Sequence, residues 1–381
     1  MDMVEYKRLD EVCHLNMGQS PNSNSYNESG NGLPFFQGNA DFGEMYPAVR
    51  VWCSEPTKIV DPGTLLISVR APIGALNFAD QRSCIGRGLA GITAGSGMNI
   101  KYVYYCLKCK NKELNAKGTG STFKAISKNS LGETAVRIRT ETEQIEITRI
   151  LDSVTAIIAA RKQQLAELDN LIKARFVELF GMPGTDAFGW GLVPLGSICV
   201  INPKKSQDKR LSEGIEVSFV PMPAVTESGQ IDPSTVKKYE EVKSGFTYFA
   251  EEDVLFAKIT PCMENGKGAV AKGLCNGIGF GSTEFHVLRP VDGKTNPYWI
   301  YILTVFPQFR EDAAANMTGS AGQRRVPASF LETYKVALPP IKLQEQFAAF
   351  VEQTDKSKVV VQKALEEAQL LFDSLMQEYF G

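Results

Sequence analysis

Residues 143–180 carry the stretch EQIEITRILDSVTAIIAARKQQLAELDNLIKARFVELF, which decides how the rest of the chain can fold. Apolar side chains recur along it in alternating steps of four and three residues, from Ile147 to Leu179. No proline or glycine interrupts the stretch before Gly181, and glycine commonly ends a helix. Because such spacing over about five heptads is typical of coiled coils, the stretch predicts a long helix that packs on another helix.

The same register returns at residues 345–380, in EQFAAFVEQTDKSKVVVQKALEEAQLLFDSLMQEYF. One such stripe alone fits a helix packed on a domain core, but two copies in one register favour helices that pack on each other. Other segments recur as well: Thr119-Gly120-Ser121 as Thr318-Gly319-Ser320, Phe180-Gly181 as Phe380-Gly381, Glu143-Gln144 as Glu345-Gln346, Leu9–Cys13 as Leu195–Cys199, Thr64–Ile67 as Asp253–Phe256, and Tyr102–Tyr104 as Trp299–Tyr301. A unit of about 190–200 residues indicates a duplicated domain, since solenoid repeats are much shorter.

The duplication predicts the order domain, helix, domain, helix. We expect domains at residues 1–140 and 186–338, and helical spacers at residues 141–185 and 339–381. Because only Gly181–Trp190 links the first helix to the second domain, the second helix must return toward the first domain. The predicted arrangement is an antiparallel coiled coil with pseudo-twofold symmetry.

Within the domains, short apolar runs alternate with turn residues, which predicts an α+β fold class. The predicted strands are Gly63–Val69, Val254–Thr260 and Phe285–Leu288, the predicted short helices are Tyr102–Lys108 and Pro297–Phe306, and the predicted loops are Asn27–Pro34 and Glu264–Gly268.

Composition narrows the possible functions. The chain has 381 residues, 43% of them hydrophobic, and its 41 Lys and Arg residues nearly balance 43 Asp and Glu residues. These values exclude a disordered or collagen-like chain. Because the net charge is −2, any binding to nucleic acid must depend on local basic patches.

No segment of the chain has the pattern of a secretion signal or a membrane span. Residues 1–9 include four charged side chains, and the longest apolar run, near Val154–Ala160, is far too short to cross a bilayer. We therefore expect a cytoplasmic protein that contacts no membrane and whose eight cysteines are free thiols.

The sequence contains no complete catalytic or metal-binding pattern. Two histidines, His14 and His286, are few for acid–base chemistry, and Cys106 and Cys109 form a lone CxxC pair. The GxGxxG match at residues 86–91 is followed by neither a helical pattern nor the acidic residue of a dinucleotide site. We predict no catalytic residues and no metal site.

The domain order resembles that of the specificity subunit of type I restriction–modification systems. In the second half, the resemblance is carried by Val336–Pro340 followed by Leu343–Gln346, and by Val254–Cys262, Glu264–Gly268 and Gly281–Phe285. In the first half, it is carried by Gly63–Arg70. The two halves resemble different subtypes, which implies two different half-sequences. The first half departs from the family at Arg137–Thr140, where prolines are usual.

This resemblance implies a subunit that performs no chemistry. Its two target-recognition domains would each bind one half of an asymmetric, bipartite site on double-stranded DNA. Its paired helices would fix the spacing and hold two methyltransferase subunits, which restriction subunits then join. S-adenosylmethionine, ATP and magnesium would be bound by those partner subunits, and no cofactor by this chain.

Candidate DNA-binding residues follow from the chemistry of the two kinds of contact. Lys and Arg bind phosphates, and Arg, Lys, Asn, Gln and Thr read base edges. Basic residues follow both Thr-Gly-Ser segments, as Lys124 and as Arg324-Arg325. The predicted contacts are Gln37, Asn39, Arg70, Arg87, Thr122 and Lys124 in the first domain, and Lys204, Lys205, Lys258, Lys267, Thr283, Gln323, Arg324 and Arg325 in the second.

Two other functions remain open at this point. The chain could be a protein-interaction scaffold, in which a coiled-coil spacer holds partners other than DNA. It could also be a stand-alone methyltransferase, because Asn296-Pro297-Tyr298-Trp299 resembles the Asn-Pro-Pro-aromatic loop of amino-methyltransferases. The absence of a cofactor fingerprint argues against the enzyme.

Overall fold

The computed structural model describes residues 5–119, 124–320 and 322–381. The chain divides into two compact units, and each unit contains one region of sheets and part of each long helix. Unit 1 comprises residues 1–162 and 363–381, and unit 2 comprises residues 163–362. The predicted α+β class and the presence of two similar domains are confirmed. The predicted division into 1–140, 141–185, 186–338 and 339–381 stays a prediction.

Unit 1 is built from two main sheets and a strand pair. Its strands are β1 (Tyr6–Arg8), β2 (Cys13–Met17), β3 (Tyr26–Asn27), β4 (Leu33–Phe36), β5 (Trp52–Cys53), β6 (Ile59–Val60), β7 (Leu65–Ser68), β8 (Leu76–Phe78), β9 (Ser83–Ile85), β10 (Leu89–Ala94) and β11 (Ala135–Arg137). One sheet is antiparallel with the order β2-β10-β7-β8, another has the order β3-β5-β4-β9-β6, and β1 pairs with β11. All of β7 is buried, which explains its continuous apolar run.

The helices that begin in unit 1 cover the first sheet and lead to the long helix. They are α1 (Leu9–Val12), α2 (Ile100–Cys109), α3 (Asn111–Ala116), α4 (Lys128–Gly132) and α5 (Glu141–Phe180), with short 3-10 turns at Ser23–Ser25 and Asn39–Asp41. The side chain of Asn99 caps α2 by accepting a hydrogen bond from the backbone N–H of Lys101 at 2.9 Å. Tyr102, Val103 and Leu107 of α2 are buried in the core of unit 1.

Unit 2 contains corresponding sheets. Its strands are β12 (Leu192–Pro194), β13 (Cys199–Ile201), β14 (Glu216–Val220), β15 (Val236–Lys238), β16 (Thr247–Ala250), β17 (Val254–Ala257), β18 (Gly268–Val270), β19 (Ile278–Gly281), β20 (Phe285–Pro290) and β21 (Lys335–Ala337). The order β13-β20-β17-β18 matches β2-β10-β7-β8 of unit 1, and the β12–β21 pair matches β1–β11. A further sheet has the order β15-β14-β19-β16.

The helices that begin in unit 2 follow the same pattern. They are α6 (Tyr239–Val242), α7 (Pro297–Val305), α8 (Pro307–Ala315), α9 (Ala328–Thr333) and α10 (Ile341–Phe380), with short 3-10 turns at Leu195–Ser197, Lys205–Gln207, Met222–Ala224 and Cys275–Gly277. In the part of the chain that the structure describes, no helix is long and apolar enough to cross a membrane.

Most sequence-predicted elements are confirmed, with shifted ends. The three predicted strands correspond to β7, β17 and β20, and the two predicted short helices correspond to α2 and α7. The predicted loop Asn27–Pro34 is shorter than expected because β4 already begins at Leu33 and pairs with β5.

The alignment of Glu143-Gln144 with Glu345-Gln346 is wrong by two residues. The buried side chain of Gln144 accepts a hydrogen bond from the N–H of Asn99 at 2.8 Å, and Gln344 accepts one from the N–H of Asn296 at 2.9 Å. The side-chain amide of Gln144 also donates to the backbone carbonyls of Gly97 and Arg139. The amide of Gln344 donates to the carbonyls of Lys294 and Pro339, which occupy the equivalent positions in unit 2. Gln344 is therefore the structural counterpart of Gln144.

Within each unit, part of α5 packs beside part of α10. In unit 1, the starting segment of α5 and the final segment of α10 share one core, in which the Tyr102 and Phe380 rings lie 5.0 Å apart. In unit 2, the Phe176 and Phe347 rings lie 5.5 Å apart, and the Lys358 ammonium lies 2.7 Å from the Asp169 carboxylate. The helix segments of unit 2 thus run antiparallel. The pairing of the whole helices and their pseudo-twofold symmetry stay predictions.

Candidate nucleic-acid interface

In unit 2, several predicted contact residues meet where the chain continues beyond β17. The N–H of Lys258 donates to the carbonyl of Glu284 at 2.9 Å, and the Lys258 carbonyl accepts from the N–H of Val326 at 2.9 Å. The N–H of Thr260 donates to the Arg324 carbonyl at 3.0 Å. These bonds join the segments at residues 258–260, Glu284 and residues 324–326, which we call the backbone frame of unit 2.

The turn after Thr318 supplies one side of this frame. The N–H of Thr318 donates to the carbonyl of Arg325 at 3.0 Å, and the Arg325 N–H donates back to the Thr318 carbonyl at 2.8 Å. Gly319 has a φ of +120°, a conformation that favours glycine. The closed turn therefore fixes the backbone that presents Arg324 and Arg325.

Unit 1 contains the same frame. The N–H of Val69 donates to the carbonyl of Gly88 at 2.9 Å, and the N–H of Ile126 donates to the Val69 carbonyl at 3.0 Å. The N–H of Ala71 donates to the Lys124 carbonyl at 3.0 Å. The equivalent positions in units 1 and 2 are therefore Val69 and Lys258, Ala71 and Thr260, Gly88 and Glu284, Lys124 and Arg324, and Ala125 and Arg325.

Four predicted residues of the first domain meet at the frame of unit 1. The N–H of Gly88 donates to the Gln37 carbonyl at 3.2 Å, which adds Gln37 to the segments that carry Arg70, Arg87 and Lys124. These four side chains are exposed. Asn39 lies in the adjoining 3-10 turn and is half-buried, and Thr122 lies outside the described residues.

Ser20, which no sequence pattern marked as a candidate, also lies at this frame. The side-chain amide of Gln37 donates to the Ser20 hydroxyl at 3.2 Å, and the same hydroxyl accepts from the backbone N–H of Arg87 at 3.3 Å. Ser20 thus holds Gln37 beside Arg87. Since 67 residues separate Ser20 from Arg87, no local spacing could have revealed this contact.

The guanidinium of the candidate Arg325 forms an ion pair within unit 2. The Nε and Nη2 atoms of Arg325 donate to the two carboxylate oxygens of Glu284 at 2.9 and 2.8 Å. Its Nη1 atom donates to the backbone carbonyl of Gln323 at 3.1 Å. Glu284 could not be selected from the sequence, because it lies 41 residues from its partner.

Charge and burial act together around this ion pair. Hydrogen bonding from Arg325 lowers the pKa of the Glu284 carboxyl group, which therefore stays ionised. Burial lowers the pKa of the half-buried Lys258 ammonium and that of the buried His286 ring. His286 is held by its Nε2 atom, 2.8 Å from the Val326 carbonyl.

The remaining candidates of the second domain lie in three different places. Thr283, Gln323 and Arg324 are exposed on the frame. The Lys205 ammonium instead donates to the backbone carbonyl of Lys243, and Lys204 precedes the same 3-10 turn. Lys267 adjoins the frame through its carbonyl, which accepts from the N–H of Ala257 at 3.1 Å, but its ammonium lies 3.4 Å from the Met222 carbonyl. DNA contact by all of these residues stays a prediction.

Neither the methyltransferase-like loop at Asn296 nor the CxxC pair at Cys106 is arranged for catalysis or metal binding. The Asn296 side chain caps α7 by accepting from the N–H of Tyr298 at 2.9 Å. Burial raises the pKa of the Cys106 thiol to about 12, which disfavours the thiolate that binds metals. Across residues 5–119, 124–320 and 322–381, no three His, Cys, Asp or Glu side chains form a group that could hold a metal ion.

Comparison with known proteins gives a consistent result. The family model "Type I restriction modification DNA specificity domain" matches residues 1–170 and again residues 188–369. The specificity subunit of the type I restriction enzyme EcoEI from Escherichia coli is 43% identical over 155 residues, which are 40% of this chain and 25% of that protein. The matched stretch thus spans about a quarter of that relative.

Two more distant relatives match most of the chain. The specificity subunit of the type I restriction enzyme MjaIX from Methanocaldococcus jannaschii is 21% identical over 347 residues. The match covers 84% of this chain and 77% of the MjaIX subunit. The crystal structure of a type I restriction–modification S subunit from M. genitalium covers 100% of this chain and 97% of its own, at 15% identity and a TM-score of 0.57. That structure shows the same fold. Because the family model matches the chain twice and the two matches together cover most of its residues, the chain belongs to the family of type I restriction–modification specificity subunits.

Proposed function

We propose that this chain is the DNA-recognition subunit of a type I restriction–modification complex. Each unit binds one half of an asymmetric, bipartite site on double-stranded DNA. The chain itself performs no chemistry, and methyl transfer belongs to a partner.

One observation carries this proposal: the two units share a backbone frame but present different side chains on it. The frame of unit 1 places Val69, Gly88 and Ala125 where that of unit 2 places Lys258, Glu284 and Arg325. A conserved backbone with variable polar side chains is what two related modules need in order to read different base sequences.

Local charge supports DNA as the ligand despite the net charge of −2. In unit 1, the exposed cations Arg70, Arg87 and Lys124 lie on one frame, and in unit 2 the exposed Arg324 lies at the position equivalent to Lys124. Guanidinium and ammonium groups presented by a fixed backbone suit phosphate contacts, which supply most of the affinity for DNA.

Exposed apolar side chains on α10 support partner docking. Val359 and Val360 are 63% and 69% exposed in unit 2, and Leu370 and Leu371 are 72% and 51% exposed in unit 1. Adjacent exposed apolar residues on a helix indicate protein contact sites. We assign them to two methyltransferase subunits, with restriction subunits joining the complex. S-adenosylmethionine, ATP and magnesium belong to those partners.

Genome-wide mapping of methylated adenines tests the proposal. One host expresses this chain with the methyltransferase subunit encoded beside it, and the control host expresses the methyltransferase alone. We expect a motif of two short blocks around a fixed gap only when this chain is present. An assembled complex that produces no chain-dependent motif would contradict DNA recognition.

The same exposed apolar pairs also fit a protein-interaction scaffold that does not bind DNA. That alternative predicts a stable complex whose affinity for DNA is equally weak for all sequences. Methylation mapping separates the two functions, because only sequence recognition produces a motif.

A further inference from the structure

Three equivalent positions of the two frames carry charged side chains in unit 2 but not in unit 1. Lys258, Glu284 and Arg325 occupy the positions of Val69, Gly88 and Ala125, which bear no polar side chain. Because the backbone hydrogen bonds around both sets match, the fold itself does not require the cluster.

Arg325 keeps donors available after all its contacts are made. A guanidinium has five N–H donors. Arg325 uses one on Nε and one on Nη2 for Glu284, and one on Nη1 for the Gln323 carbonyl. One N–H on each terminal nitrogen therefore remains, and 41% of the side chain is exposed.

Two donors on adjacent nitrogens of one planar group match the O6 and N7 acceptors of guanine in the major groove. The Glu284 carboxylate holds the guanidinium by two parallel hydrogen bonds, which fix the plane in which those donors point. A side chain already fixed in this way loses less conformational freedom on binding.

We propose that Arg325 reads one guanine in the half-site bound by unit 2 and that Glu284 is the positioning residue for this contact. The inference rests on the proposed function and deepens it. Lys258 adds positive charge beside the pair. Unit 1 has no equivalent pair and reads its half-site with other residues.

Adenine-methylation mapping of complexes with Arg325→Lys and Glu284→Gln tests this inference. Lysine keeps the charge but cannot make the two-point contact, and glutamine keeps the shape of Glu284 but not its charge. Glu352→Gln is the matched control, because Glu352 accepts from the Lys272 ammonium at 2.8 Å, away from the frame.

We expect both frame variants to assemble and to relax one guanine position in one block of the motif. Discrimination against other bases at that position should fall roughly 5-fold to 150-fold, while the other block and the Glu352→Gln motif are unchanged. A wild-type complex without a motif would refute the proposed function. A wild-type motif that both frame variants retain, or failure of both to assemble, would show that the pair is structural and overturn this inference alone.

Discussion

Gln144 and Gln344 show how much one buried side chain can organise. Each glutamine lies in the first turn of a long helix and satisfies three backbone groups, two from a neighbouring loop and one from the segment just before the helix. In the sequence, Gln144 was paired with Gln346 because both follow a glutamate. The identity of the preceding residue does not reveal which glutamine is buried.

Replacing Gln344 with alanine should destabilise unit 2. The change leaves the N–H of Asn296 and two backbone carbonyls without a partner, which should cost about 2 kcal/mol or more. Urea unfolding measures the loss. The exposed Gln346 is the control, and Gln346→Ala should change stability by less than about 0.5 kcal/mol. Equal effects of the two changes would contradict the structural alignment.

Arg324 and Arg325 are neighbours in sequence but differ in environment. Residue chemistry and the position after a Thr-Gly-Ser segment were enough to select both as candidates. Their difference arises from Glu284, which belongs to a distant segment and forms an ion pair with Arg325. Sequence alone therefore indicated where cations lie on the frame but not which cation is held in an ion pair.

Removing the exposed charge of Arg324 should weaken binding to all DNA sequences alike. We expect Arg324→Ala to lower the affinity of the assembled complex for cognate and non-cognate duplexes by similar factors. The plot of log affinity against log salt concentration has a negative slope, and its magnitude should decrease by about 1. Fluorescence anisotropy over a salt series measures both quantities. A selective loss on the cognate duplex would instead indicate that Arg324 reads a base.

At the scale of elements, the long helices were the easiest part of the fold to predict. Apolar spacing indicated residues 143–180, and the helix extends over Glu141–Phe180. Every position of the predicted stripe in both helices is at least partly buried. Many short strands were missed because runs of two or three residues carry too little periodicity, and their pairing depends on distant partners.

The exposed valines of α10 provide a prediction at the same scale. Changing Val359 and Val360 together to serine should leave the unfolding of the chain nearly unchanged, because both side chains are largely exposed. The same change should weaken association with the methyltransferase subunit, measured by analytical ultracentrifugation. The exposed pair Gln353 and Lys356, changed to alanine, serves as the control on the same helix. Undiminished association of the serine variant would exclude this surface from partner docking.

At the scale of the whole molecule, duplication links the fold to the proposed function. Under the proposed function, two copies of one frame let one chain recognise two different half-sequences, because each copy can carry different exposed side chains. The order of domains and helices could be predicted because the repeat is visible in the sequence. The half-sequences could not be predicted, because the side chains that we propose to read bases are positioned by long-range contacts, such as those of Glu284 with Arg325 and of Ser20 with Gln37.

A paired methylation map of variants in each unit tests directly whether each unit recognises one half-site. One complex carries Gln37→Ala in unit 1, because glutamine reads base edges, and the other carries Glu284→Gln with Arg325→Lys in unit 2. We expect the unit 1 variant to alter the sequence of one block only, and the unit 2 variant to alter the sequence of the opposite block only. Changes in the same block, or equal changes in both blocks from either variant, would contradict recognition of one half-site by each unit.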